Sequence, residues 1–180
     1  MRFQRFALKD IVFLAIMAAA LLLLGAISMP LMGVRIFGIQ TLLTGPLYAV
    51  MTVIALTKVP KPGALILLGF FNGIILFMMS PIMLLSMLVG AVLSEAVVAV
   101  IFRGFDSPKA RCLAAALFIP LSLPGQLLFY GVLDPEAWGE LQHQPLMTVI
   151  IVAATVLLSA LGAWVGQKIA KELQKAGKLK

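Results

Sequence analysis

The chain is poor in nearly everything that carries chemistry in a soluble enzyme. Its 180 residues include one cysteine, one histidine and seven acids, and only 12% of them are charged. A lone Cys112 can form no intramolecular disulfide and offers no cysteine cluster to a metal. Catalytic constellations need two or three titratable or nucleophilic groups converging in one cleft, and this inventory supplies few. The G-x-x-x-x-G-K-[ST] phosphate loop, the G-x-S-x-G nucleophile elbow, the H-E-x-x-H pair and the G-x-G-x-x-G fingerprint are all missing. An enzyme is therefore the minority reading, and no catalytic residue, metal ligand or cofactor is assigned. Uphill movement of a solute would need an ion gradient or a partner that hydrolyses nucleotide.

What the chain has in excess is apolar surface. At 62% hydrophobic residues it lies far from the composition of soluble domains, so an all-α integral membrane protein is expected. The net charge of +7 does not point to nucleic acid, because the basic residues flank apolar runs, where they set topology and meet anionic headgroups.

Six spans are expected, at about 11–29, 36–56, 63–80, 81–102, 112–132 and 146–167, in one bundle filling residues 1–180. The first exceeds the usual core of a cleavable signal, so it reads as a retained span despite the small residues of Ala26-Ile27-Ser28. The stretch from Gly63 to Phe102 holds a single charge, Glu95, and as one helix it would measure ~60 Å against a ~30 Å hydrocarbon core. It must fold back, and Ser80-Pro81 supplies the break. This topology gathers thirteen of the fourteen Lys and Arg residues on the side of both termini, leaving only Arg35 opposite. By the positive-inside bias, both termini are cytoplasmic. The loop from Leu133 to Pro145, with acids and His143 but neither Lys nor Arg, is outer.

Candidate solute contacts are the polar groups of the outer halves of the spans. These are Gln40, Thr41 and Thr44 early in the second span, Ser80 and Ser86 around the outer turn, and Gln126 and Tyr130 late in the fifth. Trp138 and His143 lie in the outer loop, and Arg35 is the one cation at the outer mouth, suited either to an anionic group on the solute or to surface anchoring. Pro120 and Pro124 free carbonyls at membrane depth, which is tolerated where they line a cavity. Ten methionines, four of them near the outer turn, read as adaptable packing more readily than as soft-metal or haem ligands.

Glu95 is costly inside a span, which makes it either a buried structural carboxyl or a coupling group. Counting from Lys61 and Arg103 brings Asn72 to a similar depth, so a Glu95–Asn72 hydrogen bond is expected. Small residues four apart, Ala15 with Ala19 among them, allow close helix approach, and Ala18 and Ala20 widen the first-span patch.

Several of these features together resemble a known family. They are the length, six spans with both ends inside, the Ala15/Ala19 pair, and Thr44-Gly45-Pro46-Leu47-Tyr48 leading to Lys58-Val59-Pro60-Lys61-Pro62-Gly63, with Ser94-Glu95 in the fourth span. In these the chain resembles the substrate-binding S components of energy-coupling factor (ECF) transporters, specifically the MptD-like or Trep-Strep branch. The resemblance implies a subunit of a prokaryotic plasma membrane that captures a vitamin or other micronutrient, haem-like solutes included, from outside. It also implies docking through Ala15 and Ala19 on a transmembrane coupling protein (EcfT-like) driven by two cytoplasmic ATPases. No vitamin-specific motif accompanies it. A stand-alone secondary carrier or channel using Glu95 is the alternative, and a purely structural protein would bind no solute.

Overall fold

A computed structural model describes residues 5–33, 36–133 and 145–177. Among them are six α-helices: α1 Leu8–Gly25, α2 Ile39–Lys58, α3 Ala64–Leu76, α4 Pro81–Phe102, α5 Pro108–Leu133 and α6 Pro145–Lys175. A 3-10 helix, Ala26–Gly33, continues the chain beyond α1 around Pro30. Five stretches are long and apolar enough to cross a membrane, whereas α3 is a shorter apolar helix of 13 residues. The fold is that of an all-α membrane protein.

Local chemistry explains where the helices start and stop. Pro60 and Pro62 cannot continue α2, and Gly63 takes φ 90°, a left-handed conformation that suits a residue without Cβ, to turn the chain into α3. At the opposite end Ser80 caps α4 by accepting from the Ile82 N–H at 3.3 Å, with Pro81 in the first helical position. Helix α5 begins at Pro108, earlier than the span expected from 112, because the Ser107 hydroxyl accepts from the Ala110 N–H at 3.1 Å and recruits Lys109 and Arg111 into the first turns. Helix α6 likewise runs on through the basic tail to Lys175, and Lys168 sits 3.5 Å above the Trp164 ring.

The helices close into a ring in the order α1, α2, α6, α5, α4, α3, with α2 and α5 also touching across the middle. Close approach depends on glycines. A Cβ on Gly166 would lie 2.8 Å from the Val50 Cα, and one on Gly162 would meet the Pro46 backbone, so α6 lies backbone to backbone along α2. On the other side of the ring, a Cβ on Gly69 would lie 2.9 Å from that of Ala91, seating α3 on α4.

Large apolar side chains point outward on every helix, among them Leu23, Leu43, Ile74, Val100, Leu128 and Leu161. In water such a surface would be an aggregation hazard; in lipid it is the expected exterior. Every described Lys and Arg lies at one pole, where α1, α3 and α5 start and α2, α4 and α6 end. There Lys61 pairs with Asp10 at 2.7 Å and donates to the Arg5 carbonyl at 3.1 Å, tying the start of α1 to the turn before α3.

Glu95 belongs to the same pole. Its Oε1 accepts from the Gly63 N–H, so the carboxyl caps the start of α3. The expected partnership with Asn72 does not form, and neither polar atom of the Asn72 side chain has a regular hydrogen-bond partner. The reason is register: Gly69 faces Ala91 and Gly73 faces Leu84, so Asn72 is level with about Met87, some two turns or ~12 Å from Glu95. Replacing Glu95 with Ala should lower stability by about 1–2 kcal/mol through the lost cap. Glu95→Gln, which keeps an acceptor for Gly63, should retain most of it; thermal unfolding in detergent measures both.

Candidate cavity at the pole opposite the cations

At the pole away from the cations the ring opens into a cavity of about 440 Å³. It is walled by the end of α1 and the 3-10 helix, the first half of α2, the end of α3, the first turns of α4 and the middle of α5. Its position follows from the helix lengths: α3 stops after 13 residues and α1 gives way to a 3-10 helix, so neither fills the space between the longer helices.

The two sides of the cavity differ in chemistry. Helices α2 and α5 contribute Gln40, Thr41, Thr44, Tyr48, Ser122 and Gln126. Across from them α1, the 3-10 helix, α3, α4 and the turn before α4 contribute mainly Leu22, Leu23, Leu76 and the thioethers of Met78, Met79, Met83 and Met87, with Ser28 and Ser86 as their hydroxyls. No charged residue is among the described residues of the lining. An apolar enclosure with a few convergent polar groups is suited to a small organic solute.

Each sequence-derived candidate can now be located. Gln40, Thr41, Thr44, Ser86 and Gln126 line the cavity together. Thr41 is held by a 2.6 Å bond to the Gly38 carbonyl and a 2.9 Å contact with Thr155 of α6. Ser80 is not in the lining, since its hydroxyl caps α4. Tyr130 is also outside it and packs edge-on against Phe37, ring centres 6.3 Å apart. Arg35, Trp138 and His143 lie outside the described residues. Ala15 and Ala19 are on α1 and not in the lining: Ala19 is exposed beside Ile16 and Leu23, Ala15 is half-buried, and Ala18 is turned into the core.

Sequence reasoning missed Tyr48 and Ser122. Tyr48 is buried at the cavity floor, where its hydroxyl faces the Asn72 amide without closing a regular hydrogen bond. Gly25 makes room for it, since a Cβ there would lie 3.0 Å from the Tyr48 hydroxyl. A tyrosine in the middle of an apolar helix is the one signal that could have found it, because a phenol needs a partner when buried.

Residues 7–144 match a family described as "Hypothetical bacterial integral membrane protein (Trep_Strep)". The chain belongs to the Trep_Strep family. This Trep_Strep chain also superimposes on a solved structure described as "Crystal structure of an S-component of ECF transporter", with a TM-score of 0.64 at 19% identity over 97% of this chain and 89% of that one. That likeness establishes the fold, the S-component arrangement of helices. Comparison with curated proteins gives no significant match.

Proposed function

We propose that this Trep_Strep protein is the substrate-binding subunit of an ECF-type importer in a prokaryotic plasma membrane. In this reading α3, with the turn that follows it, is a sixth span, both termini are cytoplasmic and the cavity opens outward. A vitamin or other micronutrient is captured there and passed inward with the help of a transmembrane coupling protein and two ATPases. The observation that carries the reading is the cavity itself, enclosed by five of the six helices at the pole opposite every described cation, in a chain with the S-component fold.

Two further features support it. The lateral surface is apolar and free of described charge between its rims, so reorientation in the bilayer would drag no ion through hydrocarbon. The exposed face of α1, with Ala19 among Val12, Ile16 and Leu23, offers a small-residue seat between larger side chains for a partner helix. The alternative carrier would need Glu95 to couple an ion to transport, but that carboxyl caps α3 and is absent from the cavity lining.

Co-purification tests the assignment. A tagged chain extracted from its own membranes in mild detergent should bring down one further membrane protein and two nucleotide-hydrolysing subunits. Recovery of the chain alone under conditions that preserve other membrane complexes would reject it.

A further inference from the structure

The hydrogen bonds at the cavity wall bear on the chemistry of the solute, an inference that rests on the capture reading above. Five aliphatic hydroxyls occur in the described lining: Ser28, Thr41, Thr44, Ser86 and Ser122. Each has its proton committed within the protein. Ser28 donates to the Gly25 carbonyl at 2.7 Å, Thr44 to Gln40 at 3.0 Å, Ser86 to Met83 at 3.1 Å and Ser122 to Ile119 at 2.7 Å. The Thr41 proton goes either to the Gly38 carbonyl at 2.6 Å or to the Thr155 oxygen at 2.9 Å. A hydroxyl has one proton and two lone pairs, so with its proton committed each of these has only acceptor capacity left to offer a solute.

The rest of the wall adds to the same polarity. The thioether sulfurs of Met29, Met78, Met79, Met83 and Met87 are weak acceptors with no proton to give. Donors are limited, among the described lining side chains, to the Tyr48 hydroxyl and the amides of Gln40 and Gln126. Carboxylates and phosphates need several converging donors, or a cation, to replace their hydration. An acceptor-rich wall instead matches a molecule that brings its own N–H or O–H groups, and the soft, polarisable methionine side matches an apolar or aromatic face.

We propose that the solute is an uncharged or cationic amphipathic molecule, bearing two or more N–H or O–H donors on the edge that meets α2 and α5 and a polarisable apolar face toward the methionines. A vitamin with a free carboxylate or phosphate at this depth is thereby disfavoured against an amine, amide or hydroxyl-bearing heterocycle.

Mass spectrometry of molecules retained by the purified full-length chain tests this directly. The compound released on denaturation should carry at least two such donors and no anionic group. It should be bound about tenfold more weakly by Thr44→Val or Ser122→Ala, each of which removes one acceptor oxygen, and within about twofold of wild type by Thr44→Ser. The Thr44→Ser variant separates loss of the oxygen from a packing defect. A retained carboxylate or phosphate, or a retained compound held as tightly by both oxygen-deleting variants, overturns the donor-rich class while leaving the capture reading in place. A wild-type chain that retains and binds no small molecule overturns the capture reading and this inference with it.

Discussion

Replacing Ala15 and Ala19 together with tryptophan is expected to abolish uptake of the solute while leaving its binding within about twofold of wild type, since neither altered position is in the cavity lining. Ala19 is exposed on α1 and Ala15 half-buried beside it, so a ring at position 19 projects into the space around the bundle and neither position belongs to the buried core. What they remove is the shallow seat between Val12, Ile16 and Leu23, on which a partner helix could approach closely. Membrane helices have little hydrophobic drive to associate, so loss of close packing is felt in full at such a contact. Uptake in cells beside binding by the purified variant measures the two effects separately. Uptake that survives the double substitution would place the coupling contact elsewhere.

The second large effect lies in the scaffold. Gly162→Val should destabilise the protein by at least about 3 kcal/mol and cut the yield of folded material sharply, because the new side chain meets a helix backbone and cannot be relieved by a rotamer change. A Cβ at Gly162 would run into the Pro46 backbone, and one at Gly166, a turn later, would lie 2.8 Å and 2.9 Å from Val50 backbone atoms. The α2–α6 pair also sets the depth of Thr41 through Thr155 and seats Gly45 against Ser159, so separating these helices would widen the polar wall of the cavity as well. Ala160→Val, on the exposed side of α6, is the matched control and should unfold within a few degrees of wild type. Equal melting temperatures for the two variants would show that the helices do not meet as described.

Much of this was legible in the sequence because lipid imposes few solutions. Apolar runs bounded by Lys, Arg, Pro and Gly had to be helices, and the basic residues had to collect at one pole. Gln40, Thr41, Thr44, Ser86 and Gln126, which line the cavity, could be picked out as candidates because polar residues in spans are scarce enough to stand out. What was not legible depended on register and rotation. Depth counted from the nearest cation put Asn72 level with Glu95, but α3 starts at the Pro60 to Gly63 turn and runs antiparallel to α4, which leaves Glu95 at the beginning of α3 and Asn72 far along it. Rotation also separated neighbours in the first span, turning Ala18 into the core and Ala19 outward. Ser80 and Tyr130 passed the same polarity criterion as the lining residues, yet one is used as a helix cap and the other packs against Phe37. The direction of each hydroxyl's hydrogen bond, on which the solute class rests, is likewise a property of the folded helix.

The central claim is that the chain captures a solute but does not itself drive it across the membrane. Transport of the retained solute in proteoliposomes tests that claim most directly, comparing the chain alone, under imposed proton and sodium gradients, with the chain joined to its coupling protein and ATPases. The account predicts binding without accumulation for the chain alone, and accumulation that requires ATP in the complete assembly. Gradient-driven accumulation by the chain alone, lost in Glu95→Gln, would contradict it and establish the stand-alone carrier.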